Sequence, residues 1–154
     1  MRIAIGSDHA GFKLKEMLKR QLIEKGNKVK DFGTYSEESV DYPDIAFKVA
    51  EEVSTGNFDR GILICGTGIG MCIAANKVDG IRAALCWDER SAELSRKHNN
   101  SNILCIGGRI LKEKDAKKIV DIWLQTEFEG GRHLRRVKKI LDYERSRTLS
   151  YRPT

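Results

Sequence analysis

Apolar positions along this chain fall into two alternating patterns. Four short runs are apolar nearly throughout: RIAIGS (Arg2–Ser7), RGILIC (Arg60–Cys65), IRAALCW (Ile81–Trp87) and NILCIGG (Asn102–Gly108). Their length and β-branched content predict strands buried on both faces. Between them apolar residues recur at helical spacing. In Phe12–Gly26, Leu14, Met17, Leu18 and Leu22 share one face, and Gly26 ends the helix. KVKDFG (Lys28–Gly33) is a shorter and more polar strand, placed nearer an edge. Tyr42–Gly56 reads as a helix with Pro43 in its first turn, where proline is tolerated. A further helix runs through GMCIAANKV (Gly70–Val78). Asp88 is a suitable N-cap for DERSAELSRKHN (Asp88–Asn99). Two last helices, Lys112–Phe128 and Gly131–Ser146, are separated by Gly130-Gly131.

Apolar strands that alternate with helices imply a parallel sheet covered on both faces. The expected fold class is α/β, a Rossmann-like three-layer α/β/α sandwich of about five parallel strands. The 154 residues suit one compact domain. Such sheets bind ligands at the carboxyl ends of their strands. The residues to search are therefore SDHAG after strand one, CGTGIG after strand three, WDER after strand four and GGR after strand five.

Composition narrows the picture. Charged residues make up 32% and apolar residues 40%, which argues against disorder. No apolar run approaches the roughly 18 residues that cross a bilayer. The start of the chain turns polar too soon for a signal-peptide core. A soluble cytoplasmic protein without a membrane partner is expected. Cys65, Cys72, Cys86 and Cys105 form no CxxC pair, so neither a zinc cluster nor a disulfide framework is expected. Most free cysteines are small buried hydrophobes. From Gly131 onward eight Lys or Arg face two acids, which accounts for the whole net charge of +6. That basic end raises a rival reading, a nucleic-acid-binding protein. It lacks the interleaved aromatics that stack on bases, and it leaves the strand-end motifs without a role.

The strand ends carry the candidate chemistry. Gly66, Gly68 and Gly70 permit a tight turn whose N–H groups make an anion nest. No Gly-Lys-Ser/Thr follows, so this is not a Walker A loop. Cys65 stands at its mouth, where the positive end of a helix favours a thiolate. A thiolate beside backbone donors can transfer a proton next to an oxyanion hole. A packed strand-end cysteine is the alternative. Thr67 adds a hydroxyl to the same pocket. Asp8 and His9 make an acid–base or phosphate-binding couple after strand one, unless Asp8 only caps a helix. His98 falls at a helix C-terminus, where imidazolium is favoured; like His133, it lies in a polar turn sequence. On the last helix Arg132, Arg135, Arg136 and Lys139 share one face, and Leu134, Val137, Ile140 and Leu141 the other. Arg132 opposes the helix dipole at the helix start, which suggests a functional demand such as a phosphate clamp.

GSDHAGF, CGTGIGM, HNNSN, GGR and FEGGRHLRRV, in this order, resemble type B ribose-5-phosphate isomerase. That family also holds allose-6-phosphate isomerase and galactose-6-phosphate isomerase subunits. The resemblance covers one sugar-phosphate isomerase domain, residues 1–142, and leaves 143–154 as an extension. TLSYRPT (Thr148–Thr154) is read as a frayed or partner-contacting tail. The resemblance implies a metal-free and cofactor-free aldose–ketose isomerisation through a cis-enediolate, with ribose 5-phosphate or a six-carbon sugar phosphate as substrate. It implies that Cys65 is the base and His98 the ring-opening acid, assisted by Asp8 and Thr67. Gly66 to Gly70, Ile69 included, would hold the enediolate oxygen. Asn99 would contact substrate, and His9, Arg109, Arg132 and Arg136 would bind phosphate. One branch of the family carries a glutamate base where this chain has Met71, which places the chain among the cysteine users. The resemblance further implies a homodimer, or a tetramer, in which the C-terminal helix packs on the partner and His98 is lent across the interface.

Overall fold

The computed structural model describes residues 1–150. Among them the chain forms one parallel five-stranded sheet and six α-helices, in the order β1 Arg2–Ser7, α1 Phe12–Glu24, β2 Lys28–Asp31, α2 Tyr42–Ser54, β3 Arg60–Cys65, α3 Ile69–Ala75, β4 Ala83–Leu85, α4 Glu89–Asn99, β5 Ile103–Gly107, α5 Glu113–Gln125 and α6 Arg132–Ser150. A 3₁₀ turn, His9–Gly11, joins β1 to α1. The strand order is β2-β1-β3-β5-β4, with every neighbouring pair parallel. The polar strand, β2, is an edge, as its composition predicts.

The apolar runs of the central strands divide between two cores. Ile3, Ile5, Ile62, Ile64, Leu104 and Ile106 point to one face, where Leu14, Leu18 and Leu22 of α1, Ala92 of α4 and Trp123 of α5 cover them. The alternate positions Ala4, Leu63, Cys65, Ile103 and Cys105 point to the other face, against Val49 and Ala50 of α2 and Met71 of α3. Strand side chains alternate across a sheet, so a continuous apolar run is what two covered faces require.

Several boundaries differ from the expected ones, for local reasons. β4 is only three residues long. At its start the Asn76 amide does the work of a neighbouring strand, accepting from the Ala83 N–H (2.9 Å) and donating to the Ala83 carbonyl (3.0 Å). The Asn102 side chain does the same for Arg82 N–H and Gly80 O (2.8 and 2.9 Å). α3 ends at Ala75, three residues short of Val78. α6 runs unbroken past Asp142 to Ser150, and residues 151–154, Arg152 among them, lie outside the described structure. The expected apolar face of α6 needs correction. Val137 is buried, but Leu134 and Ile140 are 57% and 52% exposed. Within one chain α6 instead docks along His133, Val137, Leu141 and Glu144, a stripe at three- and four-residue spacing. Glu144 accepts from the Gly80 N–H at 2.8 Å, and Thr148 donates to Asp79 at 2.9 Å. No helix of the described residues is long and apolar enough to cross a membrane.

One charge cluster secures the β2 edge. Lys15 is wholly buried, and its Nζ lies 2.6 Å from Asp31 and 3.2 Å from Glu16. Asp31 also accepts from Lys19 (2.8 Å) and from the Gly33 N–H (2.9 Å). Burial pushes the Asp31 carboxyl up, but the two lysines and that N–H outweigh it and hold it below the usual carboxylate range. A lowered carboxylate pKa means that this stabilisation is complete above the ordinary value and is lost as pH falls through the folded one. We expect Asp31→Asn to cost about 3 kcal/mol, because a buried ammonium loses its main partner. The variant's thermal unfolding should also become less sensitive to pH below about 4, as measured by circular dichroism at several pH values.

Candidate active site

The strand order reverses between β1 and β3, and that crevice is where open parallel sheets bind ligands. Both adjacent strand ends carry candidate residues. Asp8 follows β1 and is 7% exposed; its carboxylate caps the 3₁₀ turn by accepting from the Gly11 N–H at 3.1 Å. His9 Nδ1 accepts from the Val40 N–H at 3.2 Å. A neutral ring so held carries its proton on Nε2, leaving that nitrogen as a donor.

Cys65 ends β3 with only 5% exposure, and its Sγ accepts from the Gly68 N–H at 3.1 Å. A backbone donor is thus aimed straight at the sulfur. The loop that makes this contact depends on glycine. Gly68 has φ +81°, and a Cβ there would lie 2.6 Å from Leu85 Cδ1 and 2.9 Å from the Ile106 carbonyl carbon. Gly70 carries the ring of Tyr42, whose Cζ would be 2.6 Å from an added Cβ. Thr67 is exposed and its hydroxyl accepts from the Ile69 N–H at 3.2 Å. Arg109, after β5, lies along Gly66, and its N–H donates to the Gly66 carbonyl at 3.0 Å. Asp8, Cys65, Gly66, Thr67, Ile69 and Gly70, with Tyr42 and Ile73, line one open groove of about 400 Å³. Tyr42 and Ile73 are additions to the expected residues. Tyr42 begins α2 at the same edge of the sheet, a placement that follows from topology and carries no motif.

The remaining expected residues gather elsewhere. α4 runs antiparallel to the strands, so His98 and Asn99 at its end lie at the amino edge of the sheet, just before β5. Five residues of β5 separate this edge from the carboxyl edge, about 16 Å at 3.3 Å per residue. Arg132 and Arg136 begin α6 at that same amino edge, both exposed. The HNNSN motif builds the corner. Asn100 adopts the left-handed conformation (φ 48°) that ends α4. Ser101 accepts from Trp123 Nε1 at 2.8 Å. Buried Arg96 donates to Ser101 O, Asn100 Oδ1 and Thr126 O, tying α4 to the loop before α6; burial pushes its pKa down to about 10. His133 is buried in the first turn of α6 and stacks on His98, centroids 4.2 Å apart.

The other cysteines are not all inert hydrophobes. A side-chain hydrogen bond with Cys105 brings the half-buried Cys72 down to about 7, against its burial, with the Leu85 backbone and Asn76 assisting. Burial pushes Cys105 well up and Cys86 to about 11.

With this geometry in place, likeness to known proteins becomes specific. The sequence profile described as Ribose/Galactose Isomerase matches residues 3–140. The chain belongs to the ribose/galactose isomerase family. It is 51% identical to ribose-5-phosphate isomerase B of Escherichia coli over 95% of this chain and 98% of the relative. Among solved structures of this family, Clostridium thermocellum ribose-5-phosphate isomerase B aligns with a TM-score of 0.93 and 54% identity, over 95% of this chain and 99% of the other. Ribose-5-phosphate isomerase B from Mycoplasma genitalium with bound ribulose 5-phosphate aligns with a TM-score of 0.91 and 48% identity, over 94% and 96%.

The glycine geometry predicts how the groove fails. Gly68→Ala should cost about 1–2 kcal/mol from the left-handed backbone alone, and the clash with Ile106 should move the N–H away from Cys65. Activity should fall further than stability, read by comparing kcat with the thermal midpoint. Gly70→Ala displaces only the Tyr42 ring and should be the milder change.

Proposed function

We propose that the chain interconverts ribose 5-phosphate and ribulose 5-phosphate through a cis-enediolate. The observation that carries this reading is the Cys65 sulfur held by the Gly68 N–H at the switch-point groove, in a chain so similar to a family member solved with ribulose 5-phosphate. The thiolate of Cys65 takes the proton from C2, the electron pair becomes the C1–C2 double bond, and charge develops on O1. Backbone N–H groups of the Gly66–Gly70 loop stabilise that charge, as an oxyanion hole does. The proton on O2 moves to O1 with the Thr67 hydroxyl as relay, and the Cys65 thiol returns its proton to C1. The carbonyl thus passes from C1 to C2.

The substrate enters as a ring, so an acid must first protonate the ring oxygen. His98 is the residue for that step, with Asp8 assisting at the C1 hydroxyl. In one chain, His98 and Cys65 stand at opposite edges of the sheet. A homodimer resolves this by facing the carboxyl edge of one subunit with the amino edge of the other. The partner then lends His98, Asn99, Arg132 and Arg136 to a groove that supplies His9 and Arg109. The exposed Leu134 and Ile140 of α6 favour such packing. Thiolate proton transfer beside N–H donors needs no Lewis acid, so the reaction is proposed as metal-independent.

The test is an isomerase assay on ribose 5-phosphate, allose 6-phosphate and galactose 6-phosphate side by side. The account expects ribose 5-phosphate to give the highest kcat/KM, with activity surviving exhaustive EDTA. Preference for a six-carbon phosphate would move the substrate assignment, and loss restored only by a divalent ion would remove the metal-free mechanism. Cys65→Ala should lower kcat by on the order of 10²–10⁴-fold or more while the circular dichroism spectrum stays unchanged; a near-normal kcat would end the assignment of Cys65 as base.

A further inference from the structure

The stacked histidines at the amino edge are not explained by the chemistry above, which uses only one of them. His98 on α4 and His133 on α6 lie ring on ring, 4.2 Å between centroids and 10° from parallel. Glu129 closes the group, with its carboxylate 3.6 Å from His133 Nε2, too long for a hydrogen bond. Potential ligand atoms of the three residues lie within 4.8 Å of one another. A single ion does not fit them. Imidazole binds metals in its ring plane, and two near-parallel stacked rings offer no common in-plane point at bonding distance.

The chain holds this stack deliberately. The Glu129 N–H donates to the Lys97 carbonyl at 3.1 Å, next to His98 in sequence. Gly130 and Gly131, at φ +67° and +55°, then turn the chain so that α6 starts directly over the end of α4. His133 is 6% exposed, while His98 is only half-buried. We infer that His133 is the positioning residue for the ring-opening acid: its ring, held in a buried site and stacked face to face on His98, fixes the rotamer in which His98 meets the sugar. This rests on the reading of His98 as that acid.

The surroundings of His133 favour an uncharged ring. Burial pushes its pKa below the usual histidine value, and His98, Arg132 and Arg136 push the same way, with only Glu129 opposing. A second proton, arriving as the solution becomes acidic, places two like charges face to face and removes the stack.

The experiment compares the wild type with His133→Ala and His133→Phe on two substrates. Ribose 5-phosphate must be ring-opened. An aldotetrose 4-phosphate cannot form a five-membered ring, because its C4 oxygen carries the phosphate. His133→Ala should lower kcat/KM on ribose 5-phosphate by on the order of 10- to 100-fold and change the tetrose value by less than about three-fold, the general scale of a small packing change. His133→Phe keeps a flat, uncharged ring, so it should retain most of the activity and extend the acid limb of the kcat/KM profile to lower pH. An equal fall on both substrates, or an unshifted acid limb in a folded His133→Phe protein, overturns the inference. If the wild type ignores the tetrose, the acid limb alone decides. A wild type inactive on ribose 5-phosphate would sink the function itself, a different result from any of these.

Discussion

The polarity of a parallel sheet governs everything else in this molecule. Every strand ends at one edge, and every connecting helix returns to the other. Cys65 closes β3 and His98 closes α4, so the two are held apart by the length of a strand. No loop movement of ordinary size brings them together. The chain therefore presents two clusters, the Cys65 thiol with its glycine loop at the carboxyl edge, and the His98 imidazole with two guanidiniums at the amino edge, which the proposed function reads as two halves of one site. Each half is built with care and neither is sufficient for the isomerisation proposed.

In both clusters hydrogen bonds to the backbone do the positioning. At the carboxyl edge Gly108 N–H donates to Cys65 O (2.8 Å) and Asp8 N–H to Ile64 O (3.1 Å), so neighbouring strand ends cross-link the loop that holds the sulfur. At the amino edge the buried guanidinium of Arg96 gathers carbonyls from two loops, and Asn100 turns the chain in the left-handed conformation. These are polar groups in places where an unmet hydrogen bond is expensive, which gives each half one arrangement instead of many.

Much of this was legible in the sequence. Alternating apolar runs and helical spacing gave the layers, and the polar character of KVKDFG gave its edge position. Glycines at alternate positions after Cys65 marked a close approach of backbone that Gly68 and Gly70 do require. What stayed hidden depends on three-dimensional neighbours. His133 sits in a basic, polar stretch, and nothing along the chain announces the ring it covers. The Cys72–Cys105 contact joins a helix to a strand 33 positions away. The outward Leu134 and Ile140 misled the helical wheel for a definite reason: an apolar face reads the same in sequence whether its own chain or another one covers it.

That last ambiguity leads to the measurement that bears most directly on the split site. Cys65→Ala and His98→Ala proteins are mixed, unfolded together and refolded, then assayed on ribose 5-phosphate. Random pairing makes about half of the dimers hybrids, and two-fold symmetry gives each hybrid one site with both lesions and one with neither. Recovered activity should approach about one quarter of the wild type. Activity no greater than the mean of the two parent variants would mean that each subunit keeps its own His98, and would contradict the assignment of Cys65 and His98 to a shared site.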